Sequence, residues 1–300
     1  MKHKMIMLHY FHDNKNFKQV QGSISAEQLE KIITDTKYKV LSAEIWIEKF
    51  KNKTLEENEV CLSFDDGLKE QVEVAIPILN KYSLKGIFNI NTGSFEDKND
   101  LEVNRYYRNY YFDSVEEFYS EFFKKLEENE EYKKIAQSID FNSFLEGYDF
   151  YTYEDRKFRY FRDVVLKEKY DILMKDMRKN LNSKEILKKC CFNKEDIKML
   201  SEEGHIIGLH THSHPVTLSN LNYKEQELEF SKNKEILEEI IKKQIKIVAY
   251  PCGEYNIETL KLMKKLGVEI GMVTNTTSIK DNNLLIGRED ICKIIREYSC

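Results

Sequence analysis

Two adjacent carboxylates in the sequence have the type and position of a metal-dependent hydrolytic site. Asp65 and Asp66 directly follow the apolar run from Glu59 to Phe64. Neighbouring carboxylates repel each other unless a cation compensates them, and adjacent side chains at the end of a strand point in different directions. One carboxylate can therefore bind a metal ion while the other faces an attacking water molecule. The alternative is a turn before Gly67 in which both aspartates are solvated.

A pair of histidines can supply the remaining metal ligands. His210 and His214 are four residues apart, so in a helix or a tight turn both rings can face one cation, and neutral histidine nitrogen suits zinc. The alternative is two surface or capping histidines. With Asp66 the pair makes three protein ligands, as in catalytic zinc sites that keep a fourth position for water. Asp65 can then take a proton from water during hydrolysis of an acyl or phosphoryl bond.

The elements around these residues predict a parallel α/β protein. Apolar runs predict strands at Lys4–Leu8, Glu59–Phe64, Gly86–Ile90, Ile206–Leu209, Ile245–Tyr250 and Ile270–Thr274. Amphipathic spacing predicts helices at Ser25–Thr34, Val72–Tyr82, Lys194–Glu203, Tyr223–Lys243 and Ile257–Leu266. Polar clusters follow three of the strands, at 65–67, 210–214 and 250–253. Because the carboxyl ends of strands form the active site of parallel α/β barrels, we expect these clusters to meet.

The segment 97–190 has a different character from the rest of the chain. Its aromatic and charged residues follow helical spacing, which predicts a helical insertion within one catalytic domain that spans residues 1–300. The aromatics concerned are Tyr106, Tyr107, Tyr110, Tyr111, Phe112, Phe118, Tyr119, Phe122 and Phe123. We interpret them as a core of the insertion or as a surface that packs on the barrel. A sugar-binding surface is the alternative.

Composition limits the partners and the location of the protein. The chain has 300 residues, 33% of them charged, and a net charge of −5 without a basic run, so nucleic acid is not an expected partner. No apolar stretch approaches the roughly 20 residues of a membrane span, and Met5 to Leu8 is too short for a signal-peptide core. The 6 cysteines form no Cys-x-x-Cys pair and are expected to be reduced. These features predict a cytoplasmic protein without a membrane span.

The motifs resemble those of the polysaccharide deacetylases, carbohydrate esterase family four, with its NodB homology domain. Ser63 to Gly67 resembles the first family motif, Thr-Phe-Asp-Asp-Gly, and His210 to His214 matches the second. Ala249 to Tyr255 is similar to the third motif of divergent bacterial members. The order and spacing agree over residues 4–95 and 190–292. Members from surface-glycan gene clusters carry a similar helical insertion.

The resemblance implies a fold, a metal and a role for each residue. It implies a distorted (β/α) barrel, with Asp65 as general base and with Asp66, His210 and His214 as ligands of one divalent metal ion, expected to be zinc. The backbone N–H of Cys252 is expected to stabilise the oxyanion. The implied reaction removes acetyl from an N-acetylated sugar or oligosaccharide in surface-polysaccharide biosynthesis. Without a signal peptide, the expected substrate is a nucleotide- or lipid-linked precursor.

Two functional residues of the family are absent from their usual positions. The arginine of the third motif, which contacts the base, is missing before Tyr250, and Arg288 lies in a segment similar to the Pro-Arg-x-Asp of divergent members and is the candidate to replace it. No histidine follows His214, so the late general-acid histidine is also missing. His9, directly after the first predicted strand, is the candidate acid, with His12 behind it. The alternative role for His9 is a structural hydrogen-bond donor.

Three functions remain open from the sequence. The first is N-deacetylation of a sugar. The second is a glycan-binding homologue that has lost catalysis; the missing late histidine favours it, but the intact Asp65 disfavours it because binding needs no general base. The third is phosphoester hydrolysis, which is disfavoured because two-metal sites need more carboxylates than the sequence places here. His205 and His212 are predicted to be local structural residues.

Overall fold

The structure is a computed structural model that describes residues 5–13, 15–146, 151–167, 169–274 and 282–297. The chain divides into two compact units, one formed by residues 1–99 and 187–300 and the other by residues 100–186. Lys4, the predicted start of the first strand, and Cys300 lie outside the described residues. The helical unit 100–186 falls inside the predicted insertion 97–190, and the assignment of residues 1–300 to one catalytic domain stays a prediction.

The first unit is a closed parallel barrel. The strands in the described residues are β1 (Met5–Leu8), β2 (Lys39–Val40), β3 (Glu59–Phe64), β4 (Ile87–Ile90), β5 (Ile206–Leu209), β6 (Ile247–Ala249), β7 (Ile270–Thr274) and β8 (Ile286–Asp290). They pair in the order β1-β3-β4-β5-β6-β7-β8, and β8 pairs with β1 to close the barrel. The short strand β2 pairs with the start of β3. The predicted distorted (β/α) barrel is confirmed.

The α-helices alternate with the strands of the barrel and also form the second unit. They are α1 (Ala26–Thr34), α2 (Ala43–Lys51), α3 (Ile76–Lys81), α4 (Asp100–Tyr110), α5 (Val115–Leu126), α6 (Glu130–Ser138), α7 (Tyr153–Tyr160), α8 (Lys169–Met177), α9 (Ser183–Cys190), α10 (Lys194–Glu202), α11 (Tyr223–Ile241), α12 (Ile257–Lys265) and α13 (Ile291–Glu297). Ser25 begins α1 with the capping box predicted from its spacing to Gln28. No helix within the described ranges is long and apolar enough to cross a membrane. The cytoplasmic location stays a prediction.

Three predicted elements differ from the structure in helix type or by more than one residue in their bounds. The helix predicted from Val72 begins instead with a π-helical turn, Gln71–Ala75, and becomes α-helical at Ile76, because Pro77 has no N–H to continue a regular ladder. The helix α11 ends at Ile241 because Lys242 adopts a left-handed conformation with φ 54°. The strand predicted at 245–250 is confined to Ile247–Ala249.

Alternate residues of the strands fill the barrel interior. One buried cluster contains Met5, Cys61, Ile87, Ile247, Ala249, Ile270, Met272 and Ile286, together with Ala43 and Trp46 of α2. Strands that are not neighbours contribute to this cluster, so its residues point inward. By the same alternation Ser63, Asn89 and Arg288 also point inward, and all three are buried. The barrel interior is therefore apolar in one part and polar next to the residues that follow β3.

The second unit has a core of its own. Phe118, Tyr119, Phe122 and Phe123 of α5 are buried together with Phe141, Phe158 and Phe161. Their rings pack edge to face or tilted, with Phe118 and Phe158 centroids 5.5 Å apart. Most of the aromatic residues named above for the segment 97–190 thus stabilise this helical unit. Tyr111 is an exception, because 49% of it is exposed.

Candidate active site

Asp65 and Asp66 follow β3 at the carboxyl end of the barrel. The Asp65 N–H donates to Leu8 O at 3.0 Å, which continues the pairing of β3 with β1. Asp66 and Gly67 then adopt positive φ angles of 74° and 68°, so the chain turns sharply. Gln71 Nε2 donates to Asp65 O at 2.6 Å and to His9 O at 2.9 Å. This turn sends two adjacent, buried carboxylates to different partners.

Asp66 faces the two histidines of the second motif. Asp66 Oδ1 lies 3.3 Å from His210 Nε2 and 3.2 Å from His214 Nε2, and one ligand atom from each residue lies within 4.8 Å of the others. His210 Nδ1 donates to Ala249 O at 2.8 Å, which leaves Nε2 as a lone-pair donor. Tetrahedral zinc at about 2.1 Å from its ligands separates them by about 3.4 Å. The donor types, their spacing and the histidine tautomer therefore fit a divalent metal ion.

The carboxylates also make this site favourable for positive charge. Burial alone would lower the pKa of His210, but the carboxylates of Asp65 and Asp66 raise that pKa above its usual value. A cation bound among these groups would gain the same electrostatic stabilisation. The surroundings of His210 are therefore those of a cation site rather than of an apolar core histidine.

The histidine loop, residues 210–214, is a turn and not a helix. Side chains of α11 hold it by hydrogen bonds. Thr211 and His214 have φ angles of 62° and 57°, in the left-handed region. Glu229 Oε2 accepts hydrogen bonds from the backbone N–H groups of His212 at 2.9 Å and Ser213 at 2.7 Å, and Glu229 Oε1 accepts the Ser213 hydroxyl at 2.7 Å. Asn233, also on α11, accepts from the His210 N–H at 3.1 Å.

Asp65 is held by Arg288, the candidate to replace the arginine of the third motif. Arg288 NH1 donates to Asp65 Oδ1 and NH2 donates to Asp65 Oδ2, both at 2.7 Å, and Asn89 Nδ2 donates to Oδ1 at 2.8 Å. Burial on its own would raise the pKa of the Asp65 carboxyl, but the Arg288 guanidinium holds that pKa below its usual value. Asp65 therefore stays ionised at neutral pH and can accept a proton.

The other predicted site residues are His9, Cys252 and His12, and they have different surroundings. His9 Nε2 lies 3.9 Å from Asp65 Oδ2, and its side chain is 26% exposed. Cys252 lies two residues beyond Tyr250 at the end of β6, with a φ of 55° and an exposed side chain. His12 is buried and hydrogen-bonds Ser23 Oγ through Nδ1 at 2.8 Å, which gives it a structural partner instead of a place at the carboxylates.

His205 and His212 have structural hydrogen bonds. His205 Nδ1 accepts the Gly86 N–H at 3.1 Å, and burial lowers the pKa of His205 to about 4. His212 Nδ1 lies 2.9 Å from Thr92 Oγ1. The His212 contact joins the segments that follow β4 and β5, whereas the His205 contact lies at the amino ends of these two strands. Both agree with the structural roles predicted for these residues.

Several residues that support the site were not predicted from the sequence. They are Gln71, Asn89, Asn91, Glu229 and Asn233. Two of them could have been recognised from the sequence: Asn89 interrupts the apolar residues of β4, and Asn91 directly follows that strand. Asn91 Nδ2 donates to Asp66 O at 3.1 Å, so the two asparagines contact the two aspartates in turn.

Comparisons with known proteins agree with this fold and these motifs. The sequence matches the family model of the polysaccharide deacetylases over residues 173–271. YxkH of Bacillus subtilis (strain 168), named as a polysaccharide deacetylase, is 34% identical over 80 residues, which are 27% of this chain and 28% of that protein. The match therefore spans less than a third of this curated relative.

Solved structures are similar over nearly the whole chain. The Streptococcus pyogenes deacetylase PplD, solved in complex with acetate, has a TM-score of 0.55 and 18% identity, over 98% of this chain and 96% of that one. A de-N-acetylase from Aggregatibacter actinomycetemcomitans has a TM-score of 0.56 and 16% identity, over 98% of both chains. At these identities the likeness establishes the fold. Family model, curated relative and fold together confirm the resemblance that the motifs predict: the chain is similar to the polysaccharide deacetylases.

Proposed function

We propose that this protein is a metal-dependent hydrolase that removes acetyl from an N-acetylated sugar. The observation that carries the proposal is that two adjacent residues, Asp65 and Asp66, lie in two different polar sites. Asp66 lies within 3.3 Å of two histidine nitrogens, and the adjacent Asp65 is bound by Arg288 in a bidentate ion pair. A metal-ligand set beside an ionised, oriented carboxylate is the arrangement that amide hydrolysis needs.

Asp66, His210 and His214 are the residues that would hold the metal. The donor set of one carboxylate and two imidazoles is borderline-soft, which supports zinc. A bound divalent ion supplies a Lewis acid that polarises the substrate carbonyl and acidifies water. The hydrogen bond from His210 Nδ1 to Ala249 O would fix the tautomer and the orientation of that ring.

Asp65 is proposed to act as the general base. A water molecule adds to the carbonyl carbon of the acetamido group while the Asp65 carboxylate takes one of its protons. The bidentate Arg288 contact keeps the carboxylate ionised before the reaction and fixes the direction of its oxygens. A backbone N–H, proposed at Cys252, would stabilise the negative charge on the former carbonyl oxygen.

His9 is proposed to protonate the departing amine. The bond between carbonyl carbon and nitrogen then breaks, which yields acetate and a free sugar amine. The distance of 3.9 Å between His9 Nε2 and Asp65 Oδ2 supports this role, because acid and base must both reach the same substrate group. Its partial exposure lets the ring exchange protons with solvent.

The substrate proposed is an N-acetylated sugar or oligosaccharide of surface-polysaccharide biosynthesis, carried as a nucleotide- or lipid-linked precursor. The motif resemblance supports the acetamido group as the site of reaction. The biosynthetic setting rests on the similarity to members from surface-glycan gene clusters.

Acetate release from N-acetylated oligosaccharides, with phosphate release measured in parallel, tests the proposal. The purified protein should release acetate after loading with zinc, and Asp65→Asn should lose this activity while it keeps the metal. Glycan binding without acetate release would favour the impaired homologue. Phosphate release from a phosphoester would favour the third function.

A further inference from the structure

Asn89 has contacts that its place in a buried strand does not require. It lies on β4, points into the barrel and is 0% exposed. Its amide nitrogen donates to Asp65 Oδ1 at 2.8 Å, to Ser63 Oγ at 3.0 Å and, more weakly, to Phe64 O at 3.4 Å. Asp65 Oδ1 and Phe64 O can only accept hydrogen bonds. A hydrogen-bond donor is therefore required at this point.

These contacts give the two carboxylate oxygens of Asp65 different numbers of hydrogen bonds. Oδ1 accepts from both Asn89 and Arg288 NH1, whereas Oδ2 accepts from Arg288 NH2. Oδ2 is also the oxygen that lies 3.9 Å from His9 Nε2. Saturation of Oδ1 leaves Oδ2 as the oxygen with capacity for a further proton.

The oxygen of the Asn89 amide, Oδ1, lowers the stability of the fold. Among the described residues, Asn89 Oδ1 has no hydrogen-bond donor although it is buried. A Cβ atom on Gly208 would lie 2.2 Å from this oxygen, so the glycine of β5 provides the room in which the amide lies. A buried acceptor without a donor destabilises a fold by about 1–3 kcal/mol. An apolar residue of the same size would avoid that cost.

We propose that Asn89 is a positioning residue that orients the Asp65 carboxylate, so that Oδ2 is the oxygen that receives the proton of the attacking water. The inference rests on the proposed function, in which Asp65 is the general base. Arg288 alone fixes the plane of the carboxylate by two parallel contacts. Asn89 adds a second donor on one oxygen only, which makes the two oxygens inequivalent. Ser63 accepts from both Arg288 NH1 and Asn89 Nδ2 and ties the two donors together.

Asn89→Leu is the first test, because leucine has nearly the shape of asparagine and lacks both the donor and the unsatisfied oxygen. The variant should fold with a thermal midpoint close to that of the unaltered protein and should keep its metal content. Its kcat should fall at least about ten-fold, towards the roughly 10²-fold that a misplaced catalytic group costs, with KM changed less than about two-fold. A residue with only a structural role would lower the thermal midpoint and leave kcat unchanged.

Gln226→Leu is the matched control. Gln226 is a buried amide between α11 and α12, whose oxygen accepts the Thr259 hydroxyl at 2.6 Å and whose nitrogen donates to Leu221 O at 2.8 Å. Both ends of its amide are satisfied, so the same substitution should lower the thermal midpoint and leave kcat unchanged.

Gly208→Ala tests the same contact from the neighbouring strand. The new methyl group would displace the Asn89 amide without removing it. It should lower kcat in the same way, because it acts through the same amide. Should Asn89→Leu fail to fold, Gly208→Ala decides the question by the same measurements.

Two results would overturn the inference. One is a kcat within about two-fold of the unaltered enzyme in the folded variant. The other is a loss of kcat that follows a loss of metal, since Asn89 would then act on the metal ligands and not on Asp65. An unaltered, zinc-loaded enzyme without acetate release would instead refute the proposed function itself.

Discussion

Replacement of Glu229 should weaken metal binding although the residue touches no metal ligand side chain. The two histidines are separated by a loop in which Thr211 and His214 are held in the left-handed region. Each such residue costs about 1–2 kcal/mol, and the three hydrogen bonds accepted by the Glu229 carboxylate offset this cost. In Glu229→Ala the loop can relax, and metal binding must restore the strained form.

A penalty of about 2 kcal/mol corresponds to roughly 30-fold weaker binding, within the 10–100-fold typical of residues that support metal ligands. The assay is zinc titration of the metal-free protein in competition with a chromophoric chelator. Glu235→Ala is the control, because Glu235 is exposed on the same helix α11. If Glu229→Ala binds zinc as tightly as Glu235→Ala while α11 stays folded, the loop does not depend on this carboxylate.

Further predictions concern the ligands, the base, the acid and a structural histidine. Purified protein should bind about one zinc per chain, and His214→Ala should lose it by metal analysis; full occupancy would contradict the ligand assignment. Asp65→Asn should keep the metal and lose about 10²-fold or more in turnover, and the reverse pattern would exchange its role with that of Asp66. His9→Gln should lower turnover by a similar factor with unchanged metal content, whereas near-normal turnover would exclude it as the acid. For His205, whose pKa falls from 6.5 to about 4 on burial, the unfolded chain binds more protons between these pH values, so stability should fall by about 3 kcal/mol as the pH drops through this range. Urea unfolding of His205→Asn should show a flatter acid limb, and an unchanged one would contradict the assignment.

The strands that lead to the site were predictable because their residues are continuous apolar runs. β3 and β5 have the bounds that their sequences predict, and each ends one residue before an acidic or histidine motif. β8 was not predicted as a strand, because Arg288 and Glu289 interrupt its apolar pattern. The arginine is nevertheless fully buried, since its charge is balanced by Asp65 in the barrel interior. Prediction of strands from apolar patterns assumes that buried residues are apolar. This assumption fails for β8, because a buried charge pair belongs to the site.

The supporting residues were harder to predict because their contacts depend on closure of the barrel. Asp65 and Arg288 are separated by 223 positions in the chain, and Asp65 and Asn89 by 24. Nothing in the local sequence indicates which strand pairs with which, or how far each is shifted along its neighbour. The role of Glu229 is hidden in the same way. The sequence of α11 does not distinguish it from a surface glutamate, because its contact with the histidine loop forms only in the folded barrel.

Closure of the barrel also explains how Arg288, the candidate for the role of the missing motif-three arginine, reaches Asp65. In the family pattern the arginine comes from the strand of the third motif, whereas here β8 supplies it. β8 pairs with β1, and β1 pairs with β3, so Arg288 is two strands away from Asp65 around the barrel wall. Side chains from every strand point into the same narrow interior, where a long guanidinium can reach any carboxylate at its rim.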